Sequence, residues 1–456
     1  MIRTTILTAA ALSLAVPAAA QSQAELDVRY DRALAAGYKA MFLCSAIANA
    51  ERNGATRTPE SVMEWELTGI QSPLNEIVRE LPYEINRHEG GSLNSVSVTW
   101  AEDMPPRTAD SHVTGGCSIR PIGMEERDAS IRVAAYEREI PAWSVNDNAL
   151  DVSLQSEIQN NVFGEVYGSD ARTTAFLILH GNQILLERYA PDFGPAVPQR
   201  TWSVAKSIAA TVVGVAAHRG NTDMSASAGI GFGEDDPRRA ITIDHLLRMA
   251  SGRYSDTPGN RTDPIYFGGA TVDERAANWP LVATPGSQFR YANNDTLMAI
   301  AALDETSRNR IPATLLWLNM PHTVAETDWR GNYILSSQVW STARDLARLG
   351  QLHLDDGVLP DGTRILPEGW VEYVSSPAGP QPGGSRGWGY GAGWWLLNQS
   401  EGIPADTFMA AGNRGQYIVV VPSRDIVIVR RGEDPAGGSG FDIEAFTRDV
   451  LAALDE

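Results

Sequence analysis

Thr201-Trp202-Ser203-Val204-Ala205-Lys206-Ser207-Ile208-Ala209-Ala210-Thr211 is the stretch that decides the fold, and its apolar character continues to Gly220. An apolar run that ends at a glycine is typical of a buried helix. Residues three apart share one face of a helix, so the Lys206 amine can reach the Ser203 hydroxyl. A serine is a weak nucleophile until a neighbouring base takes its proton. The spacing therefore predicts that Ser203 is a nucleophile and Lys206 is its base.

Lysine usage strengthens this prediction. The chain has 37 basic residues, and lysine occurs only at Lys39 and Lys206. Arginine keeps its proton in proteins, whereas lysine loses it readily when water is excluded. A base at position 206 requires a pKa that falls from about 10.4 towards about 7–8 through burial. The alternative is a surface lysine on an amphipathic helix.

Composition excludes several classes of partner. The 456 residues carry a formal net charge of −19, and 43% of them are hydrophobic. Nucleic acids and anionic membrane surfaces require basic patches, so neither is expected as a partner. The seven histidines and two cysteines form no metal-ligand pattern, so we expect neither a metal nor another cofactor.

The first 20 residues resemble a secretory signal. Arg3 supplies a positive charge, the segment 6–16 is apolar, and small residues precede a cleavage site near Gln21. The apolar run is too short to span a membrane, and no cysteine follows it that could carry a lipid. We therefore expect a periplasmic or secreted protein without a membrane anchor. The alternative is a buried N-terminal helix.

Both cysteines, Cys44 and Cys117, fall in the N-terminal third of the chain. In an oxidising compartment they could form a disulfide, and the alternative is two unpaired buried cysteines. No chemistry is evident in residues 21–150, which we interpret as an N-terminal accessory region. Residues 151–456 then form the domain that contains Ser203.

The pattern of this second part predicts a mixed fold. In residues 175–186, two apolar runs, 175–179 and 184–186, flank a glycine turn like a β-hairpin. Two extended apolar stretches follow at 416–421 and 426–429. Helical periodicity marks the segments 243–249, 295–303, 342–354 and 441–454. Strands at both ends with helices between them predict an antiparallel sheet that carries an inserted helical subdomain.

Six short motifs resemble, in the same order, those of the penicillin-recognising serine hydrolases. The resemblance covers about residues 172–431, and it is strongest to the class C β-lactamase-like branch that includes esterases and 6-aminohexanoate-dimer hydrolases. It implies an α/β (α+β) fold, with an antiparallel sheet flanked by helices and an inserted all-helical subdomain. The motifs span residues 200–207, Leu246 to Gly252, Phe289 to Asn293, Ser341 to Gly350, Tyr390 to Trp395, and Ala411 to Gln416.

The resemblance implies roles for two further residues. Tyr291 and Asn293 match the Tyr-x-Asn motif of the family. A phenol with a lowered pKa beside Lys206 would share the general-base role and return a proton to the leaving group. Asn293 would hold a substrate carbonyl or fix Lys206 by a hydrogen bond. The alternative is a packed tyrosine near a turn.

The segment Gly412-Asn413-Arg414-Gly415 corresponds to the strand that supplies an oxyanion donor in this family. We expect one donor from the Ser203 amide and the other near Gly412 or Asn413, with the glycines allowing close approach. Many relatives carry Lys-Thr-Gly here, with a cation for the substrate carboxylate. Here the segment reads Gly-Asn-Arg-Gly-Gln, in which Arg414 could supply charge, so efficient β-lactamase or D-alanyl-D-alanine peptidase activity is not expected.

Tyr390, Trp394 and Trp395 are candidate walls of an apolar acyl pocket, and the alternative is that these aromatic residues pack within the sheet. The resulting hypothesis is an exported serine hydrolase that cleaves a small ester or amide through an acyl-enzyme. The alternatives are a penicillin- or peptidoglycan-binding module and a β-lactamase. The sequence leaves the natural substrate and the oligomeric state open.

Overall fold

The computed structural model describes residues 21–113, 115–126, 140–146, 150–254, 262–384 and 386–455. The predicted signal peptide, residues 1–20, lies outside the described residues. The helices are α1 (Gln23–Arg52), α2 (Pro59–Trp65), α3 (Leu74–Val78), α4 (Val152–Phe163), α5 (Ala205–His218), α6 (Ile243–Leu247), α7 (Asp263–Tyr266), α8 (Val272–Arg275), α9 (Asn293–Ala301), α10 (Glu305–Asn309), α11 (Ile311–Trp317), α12 (Ala343–Leu354), α13 (Trp370–Ser375) and α14 (Ile443–Ala453). The strands are β1 (Tyr83–Arg87), β2 (Leu93–Val98), β3 (Arg107–Ser111), β4 (Cys117–Ile119), β5 (Ser144–Val145), β6 (Thr173–His180), β7 (Gln183–Tyr189), β8 (Gln199–Arg200), β9 (Val324–Ala325), β10 (Val339–Ser341), β11 (Gly389–Tyr390), β12 (Trp395–Leu396), β13 (Phe408–Gly412), β14 (Gln416–Val421) and β15 (Ile426–Gly432).

The largest sheet has eight strands in the order β11-β12-β13-β14-β15-β6-β7-β5. All of its neighbours pair antiparallel except β5, which lies parallel to β7 at one edge. The predicted hairpin of residues 175–186 forms β6 and β7, and the two late apolar stretches form β14 and β15. The predicted fold class, a mixed α/β fold built on an antiparallel sheet flanked by helices, is confirmed.

Both faces of the central strands are covered. In β14, Ile418 and Val420 pack into the core that contains α5 and α12, whereas Val419 and Val421 pack into the core under α4 and α14. Side chains alternate between the faces of a strand, so a strand buried on both sides needs apolar residues at every position. The unbroken run of isoleucine and valine in this part of the chain meets that need.

Helix α5 lies at the centre of the first core. Twelve of its residues are buried, and Lys206 is one of them. The helical segment α6 to α11 is inserted between β8 and β9, and its apolar residues Leu246, Ile300 and Leu315 contribute to the same core. The inserted subdomain therefore packs against the helix that begins after Ser203.

The N-terminal region shares a core with the rest of the chain. Helix α1 packs against the four-stranded sheet β1-β2-β3-β4, and Phe42 contacts Trp202 with a ring separation of 6.1 Å. Ile265 and Trp340 complete this common core. Among the described helices, α1 alone is long and apolar enough to cross a membrane, and 94% of its most apolar window is buried inside the fold.

A disulfide joins Cys44 of α1 to Cys117 of β4. It ties the long helix to the edge of the four-stranded sheet and closes a loop with a sequence separation of 73. In the chain-entropy model, a loop of this length restricts the unfolded chain by about 4 kcal/mol.

We therefore expect that the double variant Cys44→Ala, Cys117→Ala unfolds more easily than the wild type. The expected loss of unfolding free energy is about 4 kcal/mol, because the unfolded chain regains the freedom of the open loop. Denaturant titration under non-oxidising conditions measures it. Reductant should shift the unfolding curve of the wild type to that of the variant and leave the curve of the variant unchanged. Identical unfolding curves of the two proteins without reductant would contradict the prediction.

Candidate active site

Ser203 lies in a short 3-10 turn, Trp202–Val204, that leads directly into α5. Trp202 has a φ of +49°, in the left-handed region that is uncommon for residues other than glycine. The Arg200 guanidinium stacks on the Trp202 ring at 3.9 Å and holds this conformation in place. The turn thereby presents the Ser203 side chain, which is only partly buried, at the start of a fully packed helix.

The Lys206 amine has three partners. Its Nζ lies 3.1 Å from Ser203 Oγ, 2.7 Å from Asn293 Oδ1 and 2.9 Å from the carbonyl oxygen of Ser336. The side chain is buried, so water does not compete for these contacts. The structure thus brings the predicted nucleophile and the predicted base into direct contact.

Burial, and to a smaller extent the positive charge of Arg200, lowers the pKa of Lys206 to about 7. A neutral amine has two hydrogens and one lone pair. The Asn293 oxygen and the Ser336 carbonyl only accept hydrogen bonds, so they take the two hydrogens. The lone pair is then left for the Ser203 hydroxyl, which is the arrangement that a general base requires.

Asn293 holds the lysine rather than standing free for a substrate carbonyl. Its Oδ1 accepts from Lys206, and its Nδ2 donates to Thr262 Oγ1 at 2.8 Å. Asn293 is the first residue of α9, and the bond to Thr262 fixes the orientation of its amide. Of the two roles considered for this residue, the structure shows the contact with Lys206.

Tyr291 lies beside the pair, with its ring centroid 5.0 Å from Lys206 Nζ. The expectation of a lowered phenol pKa is wrong. Burial raises the pKa of Tyr291 to about 12, and hydrogen bonds with Ser203 and Trp395 offset only part of this effect. The phenol therefore keeps its proton at neutral pH and has this proton to donate beside Ser203.

Aromatic side chains surround Tyr291. The Trp395 ring lies 5.3 Å from it and the Tyr390 ring 6.1 Å, so both pack against a residue of the site; Tyr390 is buried and Trp395 is partly buried. The prediction for Trp394 is wrong. It is completely buried and packs against His353 and Phe408 in the core beneath the sheet, whereas Trp395, the first residue of β12, is only partly buried.

The end of β13 approaches the backbone of the nucleophile. A Cβ atom at Gly412 would lie 3.1 Å from the Ser203 nitrogen and 2.5 Å from the Thr201 oxygen, so only glycine fits there. Asn413 follows at the exposed tip of the turn between β13 and β14. The close approach expected at Gly412 is present, and it is made to the backbone of residues 201–203.

The next two residues serve a different purpose from the one predicted. Arg414 does not face the site: it is buried and donates to backbone carbonyls, among them that of Glu66 at 2.7 Å, and it pairs with Glu433 at 3.1 Å. Gly415 lacks a side chain because Arg430 occupies the space, since a Cβ atom would lie 1.7 Å from its Nη1. Both residues shape the turn and contact no part of the Ser203–Lys206 pair.

Three contributors to the site were missed by the sequence analysis. The Ser336 carbonyl has no signature, because any residue type supplies one. Thr262 has none either, since its contact with Asn293 spans 31 positions in the chain. Arg200 stood within the quoted motif, and its position beside a lysine that must lose its proton was a usable signal. Among the residues that the structure describes, no group of three or more His, Cys, Asp or Glu side chains could hold a metal ion.

Comparison with known proteins agrees with this geometry. A 6-aminohexanoate-dimer hydrolase from Paenarthrobacter ureafaciens is 27% identical over 300 residues, which are 58% of this chain and 73% of the relative. A protein from Bacillus anthracis described as a candidate 6-aminohexanoate-dimer hydrolase has the same fold, with a TM-score of 0.54, 20% identity, and coverage of 71% of this chain and 87% of the other. EstCE1, a hydrolase with promiscuous acyltransferase activity, superposes with a TM-score of 0.51 at 15% identity, covering 67% of this chain and 99% of its own.

The family of this chain follows from a sequence match over more than half of its length. The model of the Beta-lactamase family matches residues 159–431, which is more than half of the chain and includes Ser203, Lys206, Tyr291 and the Gly412 turn. The chain belongs to the beta-lactamase family.

Proposed function

We propose that this protein is an exported serine hydrolase that cleaves a small ester or amide through an acyl-enzyme. The observation that carries the proposal is the position of the Lys206 amine, which is buried, has a pKa of about 7, and lies 3.1 Å from Ser203 Oγ. A binding module needs no base of this kind beside a serine. The relative from Paenarthrobacter ureafaciens, a hydrolase of 6-aminohexanoate dimer by name, supports an amide or ester as the substrate class.

Acylation begins when neutral Lys206 takes the proton of Ser203 and Oγ attacks the substrate carbonyl carbon. The bond between this carbon and the leaving group then breaks as the leaving oxygen or nitrogen receives a proton. Tyr291 is placed to donate it, because its phenol is protonated at neutral pH and hydrogen-bonds to Ser203. Its own proton is replaced from Lys206. In deacylation a water molecule gives a proton to the neutral Lys206 amine and attacks the acyl carbon. The bond between this carbon and Oγ then breaks, and Oγ takes the proton back from Lys206.

Each attack creates an oxyanion that needs two preorganised donors. We assign one to the backbone amide of Ser203 and the other to that of Asn413. Gly412 supports the second assignment, because its lack of a side chain lets the end of β13 lie against the Ser203 backbone. Removal of one such donor typically costs a factor of about 10² to 10³ in kcat.

The orientation of Arg414 favours an ester or amide over a β-lactam. A β-lactam carries a carboxylate, and Arg414 was the cation that could have met it on this strand. Its guanidinium is instead buried and bonded to carbonyls of residues 65–68 and 433–434. The Cys44–Cys117 disulfide supports export, since disulfides form and persist in oxidising compartments.

We expect Ser203→Ala to abolish hydrolysis of p-nitrophenyl butyrate, because no nucleophile remains. A fluorophosphonate should add to the wild-type peptide that contains Ser203 and leave the variant unlabelled, as read by mass spectrometry. Equal hydrolysis by both proteins would remove the proposal. Faster turnover of nitrocefin than of the ester would favour the β-lactamase alternative.

The second lysine offers a matched control for Lys206. Lys39 is equally buried, but its amine donates only to backbone carbonyls, including those of Val78 at 3.1 Å and Leu81 at 2.8 Å. We expect Lys206→Met to lower kcat/KM by at least about 10², the contribution of a general base. Lys39→Met should lower the melting temperature and leave kcat/KM within about twofold. Similar rates for the two variants would count against Lys206 as the base.

The pH dependence follows from the pKa of Lys206. Only the neutral amine can accept the Ser203 proton, so kcat/KM should rise with pH, reach half its plateau near pH 7, and stay high above it. Burial also raises the pKa of Glu326 and of Asp345 to about 7, so these carboxyls could produce the same midpoint. If Lys206 sets the midpoint, the variants Glu326→Gln and Asp345→Asn keep the wild-type profile; a shifted profile in either variant would assign the midpoint to that carboxyl. A rate that falls between pH 6 and 8 would rule out Lys206 as the base.

A further inference from the structure

We infer that Arg414 is a positioning residue, through which the N-terminal region holds the oxyanion turn Asn413-Arg414-Gly415 against Ser203. This inference rests on the proposed function, because it concerns the second oxyanion donor of that site. It also gives residues 65–68, in a region without evident chemistry, a part in catalysis.

The Arg414 guanidinium gathers carbonyl oxygens from two distant segments. On one side lie the carbonyls of Trp65, Glu66 and Thr68, at 3.1, 2.7 and 2.5 Å. On the other side lie those of Glu433 and Asp434, each at 3.2 Å. The first group is at the end of α2, where carbonyls lack partners within the helix. A five-donor guanidinium satisfies them, and no other side chain could reach all of these atoms at once.

Charge on both sides of the guanidinium locks it in place. Glu433 is fully buried and pairs with Arg414 Nε at 3.1 Å. Glu66, whose carbonyl Arg414 binds, is held by a two-pronged contact with Arg57 at 2.9 and 2.8 Å. Because none of these groups meets water, the arrangement leaves Arg414 one position, and the backbone that carries it is fixed as well.

That backbone would not hold this shape unaided. Arg414 has a φ of +57° and Gly415 one of +77°, so a residue with a side chain sits in the left-handed region. Gly415 in turn accepts a hydrogen bond on its carbonyl from Arg430 at 2.9 Å. The side-chain contacts of Arg414 therefore compensate for an unfavourable backbone conformation one residue after Asn413.

The turn is coupled to the nucleophile through Gly412. A Cβ atom there would lie within 3.1 Å of the Ser203 nitrogen, so no space separates the end of β13 from the 202–204 turn. A small rotation of the 413–415 turn would change the distance between the Asn413 and Ser203 amides. Arg414 therefore controls the spacing of the two oxyanion donors without touching the substrate.

The test is Arg414→Gly in the full chain, with p-nitrophenyl butyrate as the probe. Glycine accepts a positive φ, so the variant removes the contacts without adding backbone strain. We expect kcat to fall by a factor of about 10 to 10³, because both acylation and deacylation pass through an oxyanion. KM should change less than about threefold. The pH midpoint near 7 should stay, since Lys206 keeps its partners.

Guanidinium rescue separates positioning from general support of the fold. Guanidinium chloride at non-denaturing millimolar concentration should refill the vacated space and restore part of kcat in Arg414→Gly, and sodium chloride should not. The matched control is Arg107→Met. Arg107 is also buried and donates to the carbonyls of Arg120 at 2.8 Å and Phe267 at 2.7 Å, so its loss should lower the melting temperature with kcat kept.

Two results would overturn the inference. One is an Arg414→Gly protein with a lower melting temperature and wild-type kcat, and the other is an equal fall of kcat in Arg107→Met. If Arg414→Gly does not fold, Arg414→Lys decides by the same comparison, because it keeps a charge beside Glu433 and reaches fewer carbonyls. A failure of the proposed function would instead appear as equal hydrolysis by Ser203→Ala and the wild type, so the two failures can be told apart.

Discussion

The proposed chemistry of this protein depends on the burial of the Lys206 amine. Burial of Lys206 disfavours its charged form, so its pKa falls to about 7 and the neutral amine is available as a base at neutral pH. The surroundings then decide how the neutral amine is oriented. Two acceptors, Asn293 and the Ser336 carbonyl, take its hydrogens, so its lone pair faces Ser203. The apolar residues of α5 and of the sheet below it keep water from undoing this arrangement.

Arginine and lysine divide the electrostatic work in this chain. Buried arginines such as Arg57, Arg414 and Arg430 pair with buried carboxyl groups, and these pairs fix backbone segments. Arg200 lies in an aromatic cage that includes Trp202 and Phe42, and its positive charge lowers the pKa of Lys206. The buried arginines thus have a structural role, whereas the side chain beside Ser203 that the proposed chemistry needs in its neutral form is a lysine.

Local patterns in the sequence predicted the sheet and the pair at the start of α5, because both depend on periodicity and short spacing. They could not predict contacts across long distances in the chain. Arg414 binds carbonyls 346 to 349 positions away, and nothing at position 414 indicates their direction. Trp394 and Trp395 were given the same role, although Trp394 lies in the bend before β12 and is completely buried, while Trp395 begins the strand and is only partly buried. The pKa of Tyr291 could not be predicted from the sequence, because it depends on the burial of the phenol, which is known only from the three-dimensional packing.

Trp202 belongs at the same time to the turn of the nucleophile and to the core beneath α1. Its ring is packed by Phe42, a residue that lies 160 positions earlier in the chain. A domain excised at residue 150 would lose Phe42 and the rest of α1 from the packing of this tryptophan, whereas the stacking of Arg200 on its ring would remain. The first third of the chain shares a hydrophobic core with the rest of it. We therefore expect the two parts to unfold as one cooperative unit.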